Sequence, residues 1–184
     1  FPIYLSAGIL FAFTQGIELE RIKNSILDLQ MVKRRQEVRG KYRGAIVIDD
    51  FAHHPRAVQV TIDAIAAKYP QKELVVILEP NSATARSAIF QEQFGASLSR
   101  ANYVVLAKPQ KGTTIKWIGD LNCYKIAEEI NGGVPHKATV VEVLSDLREK
   151  IDFFANDKRV LLILSNGTCL GLWESDFVQA LSGI

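Results

Sequence analysis

Two carboxylates and two imidazoles lie within six positions of the stretch AIVIDDFAHHPRAV, directly after an apolar run. Asp49, Asp50, His53 and His54 could bind a metal ion, contact a nucleotide or substrate, or form a plain junction between a strand and a helix. A metal site needs three or four converging ligands, and no second cluster of His or Cys in the sequence completes one. The pattern therefore favours contact with a nucleotide or substrate over metal binding.

The structural alternative explains part of this stretch. Pro55 suits the first position of a helix, which would make His54 the N-cap residue. Ser, Thr, Asp and Asn are the residues that cap helices well, and histidine is not one of them. Capping therefore accounts for Pro55 and leaves His54 without a structural explanation.

A second polar junction, LEPNSATAR, ends the apolar run ELVVILE. Asn81, Ser82 or Thr84 could cap the next helix, and a helix N-terminus after a strand can bind an anion. Ordinary helix N-caps use the same residue types, so these residues alone are weak evidence for a ligand-binding site. Glu79 is stronger evidence, because a carboxylate at the end of a buried strand needs a partner, either a cation or a donor group of a ligand.

A third junction, LILSNGTCLGLWESDF, has a turn-forming sequence directly after an apolar run. Gly167 permits a positive φ there, and Thr168 could cap a following helix. Backbone N–H groups of this turn could bind a carboxylate, or the turn could be purely structural. Parallel strands end at the same edge of a sheet, so the three junctions together are more informative than any one of them.

Six basic residues lie before the first junction: Lys33, Arg34, Arg35, Arg39, Lys41 and Arg43. Such a run could bind nucleic acid or act as a localisation signal, but it is more often a solvated surface. One arginine could instead reach a phosphate, for which the guanidinium group is well suited. Composition alone favours the solvated surface, since Glu37 also neutralises part of the charge.

The order of apolar and helical segments indicates the fold. Two short helices in residues 1–30, the second at 17–29, are separated at Gly16, and a first strand follows at about residues 36–42. The runs AIVID, ELVVILE, YVVLA, ATVVE and RVLLILS then alternate with helices at residues 55–69, 84–99, 120–131, 142–155 and 169–182. This pattern predicts an α/β fold: a doubly wound, mostly parallel Rossmann-like sheet with helices on both faces, preceded by a short helical N-terminal appendage. Residues 108–120 are expected to form a surface loop.

Length and composition limit the class of protein. The chain has 184 residues, 48% of them hydrophobic, which suits one domain or one domain with a piece of another. The formal charge of +2 does not indicate nucleic acid or an anionic membrane as a partner, and no apolar run is long enough for a transmembrane segment.

Cys123 and Cys169 are interpreted as reduced thiols of a cytoplasmic protein. FPIYLSAGILFAF has no basic leader region and is interpreted as an internal segment, not a signal peptide.

The common nucleotide-binding and nucleophile motifs are missing from the sequence. It contains neither a GxxxxGK[ST] phosphate loop nor a GxGxxG fingerprint. No arrangement of Ser, His and Asp or of Cys and His supports nucleophilic catalysis. If this domain handles a nucleotide, another domain must hold the phosphates.

The stretches MVKRRQEVRG and GAIVIDDFAHHPRAVQVTIDAI resemble the start of the C-terminal domain of the Mur ligases, the ATP-dependent enzymes that build peptidoglycan precursors. The linker of that family carries a basic residue followed by R-x-E, here beginning at Arg35, and the next strand ends in an aspartate, here Asp50. The resemblance covers essentially the whole chain. It implies that residues 1–32 are the helical end of the central ATPase domain with the linker, and that residues 33–184 are the C-terminal domain.

Further motifs bear on the substrate. The His-His-Pro form is typical of family members that act on UDP-N-acetylmuramate. DDFAHHP, LEPNSATAR and LSNGTCLGL are similar to segments of the member that serves peptidoglycan recycling by adding the tripeptide L-alanyl-γ-D-glutamyl-meso-diaminopimelate. The sequence departs from that pattern at residues 81–83, where Arg-Ser-Asn is expected, and at residues 170–172, where Gly-Gly-Ile is expected. The nearest alternative is the member that adds L-alanine.

The resemblance also implies roles for single residues. Arg35 would contact the ATP phosphates and Asp50 the ribose, although the motif does not by itself separate Arg34 from Arg35. His53 and His54 would line the nucleotide or muramoyl side of the cleft. The candidate peptide contacts are Asn81, Ser82, Ser165, Asn166 and Gly167. Mg²⁺ would be required, with its ligands mainly in the central domain and none expected in this chain.

In the family reaction ATP activates a carboxylate as an acyl phosphate, and an amine attacks to give an amide, ADP and phosphate. The implied partners are UDP-N-acetylmuramate, the murein tripeptide and the protein's own N-terminal and central domains, with no nucleic acid and no membrane. Residues 1–184 alone are expected to be inactive. Two other classes stay open on the residues: a metal-dependent phosphoesterase built on Asp50, His53 and His54, and a non-catalytic binding module.

Overall fold

The computed structural model describes most of the chain: residues 2–27, 32–111 and 119–183. The chain forms two compact units, Phe1–Lys33 and Arg34–Ile184. None of the described helices combines the length and the apolar character needed to cross a membrane.

The first unit consists of two helices, α1 (Pro2–Thr14) and α2 (Leu19–Leu27). Gly16 lies between them with a left-handed φ of 76°, a conformation that glycine adopts at no steric cost. The predicted break at Gly16 is confirmed, although α2 begins later than the residue 17 that the pattern predicted. The last two residues of that predicted helix, 28 and 29, lie outside the described residues.

Within the described part of the second unit, six strands form one sheet in the spatial order β1-β2-β6-β3-β4-β5. The strands are β1 (Glu37–Tyr42), β2 (Ala45–Asp50), β3 (Glu73–Glu79), β4 (Tyr103–Ala107), β5 (Ala138–Val141) and β6 (Arg159–Ser165). β1 is antiparallel to β2, and all other neighbouring strands are parallel. The predicted mostly parallel sheet is confirmed.

Helices cover both faces of the sheet, as predicted: α3 (Pro55–Lys68), α4 (Gln91–Leu98), α5 (Cys123–Gly133) and α6 (Leu144–Phe154). Successive strand residues point to opposite faces. Val76 therefore packs in the core formed with α3, α4 and α5, whereas its neighbour Val75 packs in the core formed with α6. This burial on both sides explains why the strands are continuous apolar runs.

Two predicted helices differ from the structure. The helix predicted from residue 84 begins at Gln91, after a 3-10 turn at Ala88–Phe90. The backbone N–H of Ala88 donates to the carbonyl of Gly119 at 3.1 Å, which holds the preceding residues in a different conformation. The helix predicted at 169–182 is wrong, because that segment contains turns, a short 3-10 helix, Leu172–Glu174, and a β-bridge from Ser182 to Lys41. Most of the predicted loop at 108–120 lies outside the described residues.

Candidate functional site at the carboxyl edge of the sheet

Three polar junctions meet at the carboxyl edge of the sheet. The strands β2, β6 and β3 are neighbours, and their last residues, Asp50, Ser165 and Glu79, are all buried. Ser165 and Glu79 are direct partners in the parallel register. The prediction that the three junctions share one edge is confirmed, and this is the edge where doubly wound sheets bind ligands.

Asp50 fixes the two segments that flank the end of β2. Its Oδ2 accepts a hydrogen bond from the backbone N–H of Gln36 at 2.8 Å, and its Oδ1 accepts one from Ala52 at 2.7 Å. Gln36 has a positive φ of 51°, which is uncommon for a residue other than glycine. Asp50 is 4% exposed. Each of its oxygens retains a second acceptor position beyond the backbone bond it makes.

Phe51 lies against the two arginines of the linker. The guanidinium carbons of Arg34 and Arg35 are 5.5 and 5.4 Å from the centroid of its ring. Arg34 is partly buried and Arg35 is exposed. No carboxylate among the described residues forms a salt bridge with Arg35, whereas Arg34 pairs with Asp49. Arg35 therefore has the guanidinium group that is available to an anion.

The two histidines contact different neighbours. His53 Nδ1 lies 2.9 Å from the carbonyl oxygen of Phe51, and the ring of His54 lies edge-on to Phe90 with centroids 4.6 Å apart. His54 is the N-cap residue of α3 but makes no side-chain capping bond, and Pro55 begins the helix as predicted. In the parts of the chain that the structure describes, no three His, Cys, Asp or Glu residues are grouped to hold a metal ion.

An ion-pair network around the buried Asp49 lies next to this loop. Arg34 Nε donates to Asp49 Oδ2 at 3.2 Å, and Arg39 lies 3.6 Å from the same oxygen. The other oxygen of Asp49 is buried and has no hydrogen-bond partner among the described residues. Burial raises the pKa of Asp49 to about 6, against the lowering effects of Arg34 and Arg39.

The raised pKa of Asp49 predicts that an Asp49→Asn variant responds differently to pH. The folded pKa of about 6 lies above the usual 3.8, so proton binding favours the folded state. The stabilisation from this proton is complete at pH values below the unfolded pKa of 3.8. It is lost as the pH rises through the folded pKa of about 6. We expect the free energy of unfolding of the parent protein, relative to that of the variant, to fall by about 3 kcal/mol across this range. Urea unfolding at several pH values measures it, and parallel profiles would contradict the raised pKa.

Glu79 accepts three hydrogen bonds from the turn after β6. The Ser165 hydroxyl and the Cys169 N–H donate to Oε2 at 2.6 and 3.0 Å, and the Leu170 N–H donates to Oε1 at 2.9 Å. The prediction that this carboxylate needs a partner is confirmed, but its described partners are a hydroxyl and two backbone N–H groups of the protein, not the expected cation or ligand donor. Cys169 and Leu170 both have positive φ, which directs their N–H groups to Glu79 and prevents a helix from forming here.

Gly167 allows the side chains of Asn81 and Glu79 to approach this turn closely. A Cβ atom at this position would lie 2.3 Å from Asn81 Nδ2 and 2.9 Å from Glu79 Oε2. The expectation of a positive φ at Gly167 is wrong, since the left-handed residues of this turn come later in the chain. The hydroxyl oxygen of Thr168 accepts a hydrogen bond from Gly171, so Thr168 caps the turn instead of a helix.

Asn81 and Ser82 organise the loop after β3. Ser82 Oγ accepts a hydrogen bond from the N–H of Ala85 at 3.1 Å, so it caps a turn and not the helix predicted there. The carbonyl of Asn81 accepts a hydrogen bond from Arg86 at 2.8 Å. In the neighbouring turn, the Oδ1 atom of Asn166 is buried and has no donor among the described residues.

A cleft of about 470 Å³ opens beside these loops. Residues at or after the ends of β3, β4, β5 and β6 line it, including Glu79, Asn81, Arg86, Lys111 and Glu142. Glu142 pairs with a neighbouring lysine at 2.9 Å, whereas neither Arg86 nor Lys111 forms a salt bridge with a described carboxylate. Nothing in the residue pattern marks these two cations, because isolated basic residues in loops are common on any protein surface.

The structure separates the predicted site residues into two groups. The first group lies around the linker and the end of β2: Arg35, Asp50, His53 and His54. The second lies around the cleft, where Asn81 lines the wall directly. Ser82, Ser165, Asn166 and Gly167 are not part of the wall, and Ser165 and Gly167 support Glu79 and Asn81, which are.

A doubly wound sheet with polar loops and a cleft at its carboxyl edge defines a ligand-binding α/β domain. The family model described as "Mur ligase, glutamate ligase domain" matches residues 34–167. The chain belongs to the Mur ligase family, whose members are ATP-dependent enzymes that form amide bonds in peptidoglycan biosynthesis. Members of the family generally use ATP and Mg²⁺. This membership favours a ligase over a phosphoesterase or a non-catalytic binding module.

Individual relatives of this chain are ligases that carry an L-alanine or a murein peptide in their names. The chain is 33% identical over 129 residues to the UDP-N-acetylmuramate–L-alanine ligase of Lactiplantibacillus plantarum, with 70% of this chain and 29% of that protein covered. It is 29% identical over 179 residues to the same enzyme of Streptococcus pneumoniae, with 97% and 38% covered. The crystal structure of a murein peptide ligase from Psychrobacter arcticus superposes with a TM-score of 0.68 and 25% identity, covering 96% of this chain and 35% of that one. The chain thus spans 29% to 38% of the length of these relatives.

Proposed function

We propose that this chain is the C-terminal part of a murein peptide ligase, which joins UDP-N-acetylmuramate to the tripeptide L-alanyl-γ-D-glutamyl-meso-diaminopimelate. The cleft with Arg86 and Lys111 on its wall is the observation that carries this proposal. Its volume of about 470 Å³ lies within the range of about 300–1,000 Å³ that suits drug-sized ligands, and L-alanine would leave most of it empty. The tripeptide has several carboxylates, which a guanidinium and an ammonium group can bind.

Peptide contacts are proposed at the second group of residues. Asn81 is proposed to contact the peptide from the wall of the cleft, together with Arg86 and Lys111. Ser82, Ser165, Asn166 and Gly167 are proposed to shape the loops that meet the peptide. The hydrogen bond from Ser165 to Glu79 supports this division of roles, because it anchors a residue of the wall.

Nucleotide contacts are proposed at the first group of residues. The exposed guanidinium of Arg35 fits a phosphate, since no described carboxylate neutralises it. Asp50 is proposed to hold the backbone on both sides of β2 and to accept a ribose hydroxyl with its remaining acceptor positions. His53 and His54 are proposed to line the same side. When bound, ATP would supply the phosphoryl group that activates the muramate carboxylate, and the ligands of Mg²⁺ are proposed to lie mainly in the central domain.

Residues 1–32 are proposed to be the end of that central domain. Helix α1 contains no charged residue, and Leu10, Phe11 and Phe13 on it are 64%, 67% and 59% exposed. An exposed apolar patch of this kind is typical of a surface that another part of a protein covers. The remainder of the central domain is the occupant that we propose, in a cytoplasmic enzyme whose partners are its own domains and its two substrates.

A second candidate function is addition of L-alanine to UDP-N-acetylmuramate. The observation that favours it is the identity of 33% and 29% with L-alanine ligases of two bacteria. Both candidates share the activated acid and differ in the amine. The two are therefore separated by the amine substrate and not by nucleotide dependence.

Release of ADP by the full-length ligase tests the proposed function. With UDP-N-acetylmuramate and MgATP, we expect turnover when the tripeptide is the amine and little turnover with L-alanine. Omission of UDP-N-acetylmuramate and use of residues 1–184 alone are matched controls, and neither should release ADP. Turnover with L-alanine only would establish the second candidate, and no release with either amine would contradict the ligase proposal.

A further inference from the structure

One guanidinium group connects the two groups of site residues. Arg34 Nε donates to Asp49 near the end of β2, and Arg34 Nη2 donates to the carbonyl oxygens of Ser165 and Gly167 in the turn after β6. The distances to Asp49 and Gly167 are 3.2 and 3.0 Å. The side chain of Arg34 thus spans from the strand that precedes the nucleotide-side loop to the turn that supports the cleft.

The backbone of Arg34 is fixed just as firmly. Its N–H donates to Glu37 Oε2 at 2.7 Å, and its carbonyl accepts a hydrogen bond from the N–H of Phe51 at 2.8 Å. Its φ of 57° is left-handed, a conformation that needs support from the surrounding structure in a residue other than glycine. Arg35 is the next residue, so the position of its guanidinium depends on how Arg34 is held.

The turn at residues 165–167 is equally connected to the cleft. The Ser165 hydroxyl donates to Glu79, which lines the cleft, and Gly167 packs against Asn81 without room for a Cβ atom. The two carbonyl groups that accept from Arg34 thus belong to residues that contact the cleft wall at Glu79 and Asn81. These contacts form a continuous path from the cleft wall to Arg35.

We propose that Arg34 is a positioning residue that couples nucleotide binding near Arg35 to peptide binding in the cleft. The inference rests on the proposed function, because it takes the two ligand sites from there. Coupling of this kind is reciprocal, so peptide bound in the cleft should raise the affinity for nucleotide by the same factor as nucleotide raises the affinity for peptide. A guanidinium group can bridge acceptors in two directions, which the single ammonium of lysine does poorly.

Arg39 offers a matched control for the loss of charge. It lies 3.6 Å from the same Asp49 oxygen, pairs with Glu37 and stacks over Trp173 at 4.9 Å. Unlike Arg34, it makes no hydrogen bond to Ser165 or Gly167 in the described structure. An Arg39→Ala substitution therefore removes a cation from Asp49 and leaves the bridge to the turn intact.

Equilibrium binding to the full-length ligase tests the coupling. The dissociation constant of a non-hydrolysable ATP analogue with Mg²⁺ is measured by calorimetry at saturating UDP-N-acetylmuramate, with and without saturating tripeptide. In the parent protein and in Arg39→Ala we expect the tripeptide to tighten nucleotide binding about fivefold or more. In Arg34→Ala and Arg34→Lys we expect the two dissociation constants to agree within about twofold.

Each outcome decides the inference. Absence of coupling in the parent protein, retained coupling in the Arg34 variants, or an equal loss in Arg39→Ala would overturn it. Arg34→Lys preserves the charge beside Asp49 and decides the question if Arg34→Ala does not fold. The parent protein must first turn over with the tripeptide, so failure of the proposed function and failure of the coupling give different results.

Discussion

Replacement of Glu79 by alanine should lower the free energy of unfolding by about 3 kcal/mol. Glu79 is 5% exposed, and the substitution would remove the acceptor of the Ser165 hydroxyl and of the Cys169 and Leu170 N–H groups at once. Each buried donor left without a partner costs about 1–3 kcal/mol, and water entering from the adjacent cleft would recover part of the sum. Urea unfolding of residues 1–184 with linear extrapolation measures the change.

Glu73→Ala is the matched control for this prediction. Glu73 is the same residue type at the opposite end of β3, where its carboxylate pairs with Arg159 at 2.8 Å and its side chain is 46% exposed. An exposed pair of this kind contributes less than about 1 kcal/mol. If Glu79→Ala were no more destabilising than Glu73→Ala, the three hydrogen bonds to Glu79 would not hold the turn after β6.

Arg35→Ala should lower kcat/KM of the full-length ligase for MgATP about a hundredfold or more, because a positioned cation on the phosphates stabilises developing charge. The same substitution should change the free energy of unfolding by less than about 0.5 kcal/mol, as is usual for exposed residues. Arg35 is exposed, and its guanidinium carbon lies 5.4 Å from the centroid of the Phe51 ring. Steady-state ADP release and thermal unfolding together measure the two effects.

Lys41→Ala removes an equal charge from an exposed position on β1 and should leave the rate unchanged. A kcat/KM for Arg35→Ala within about threefold of the parent value would contradict a phosphate contact. An equal loss in Lys41→Ala would indicate a general effect of net charge. A large loss of rate in Arg35→Ala together with a large loss of stability would point instead to a structural role.

The parallel sheet was predictable because each strand is buried on both faces, which makes its sequence a continuous apolar run. The last segment was not predictable in the same way. Leu170, Leu172 and Phe177 are apolar residues that suit a helix, yet Glu79 binds the backbone of this segment and imposes left-handed residues on it. Glu79 is far away in the sequence, so no local pattern contains that information.

The candidate site was also predictable only in part: the sequence indicated its position in the fold but not the contacts of its residues. Burial of a carboxylate at a strand end was enough to predict that Glu79 needs a partner, but not which donors would supply it. The motif could not separate Arg34 from Arg35, whereas the structure shows that Arg34 is occupied by Asp49 and two carbonyl groups. Arg86 and Lys111 become candidates only when the loops that carry them lie on one cleft.

A competition between the two amines tests most directly the proposal that this cleft receives a peptide. The full-length ligase is given UDP-N-acetylmuramate, MgATP and equal concentrations of the tripeptide and L-alanine, and the masses of the products are determined. We predict that the tripeptide adduct exceeds the L-alanine adduct by about tenfold or more, because only the tripeptide fills the cleft. A product mixture dominated by the L-alanine adduct would contradict the assignment and identify the chain as part of the L-alanine ligase.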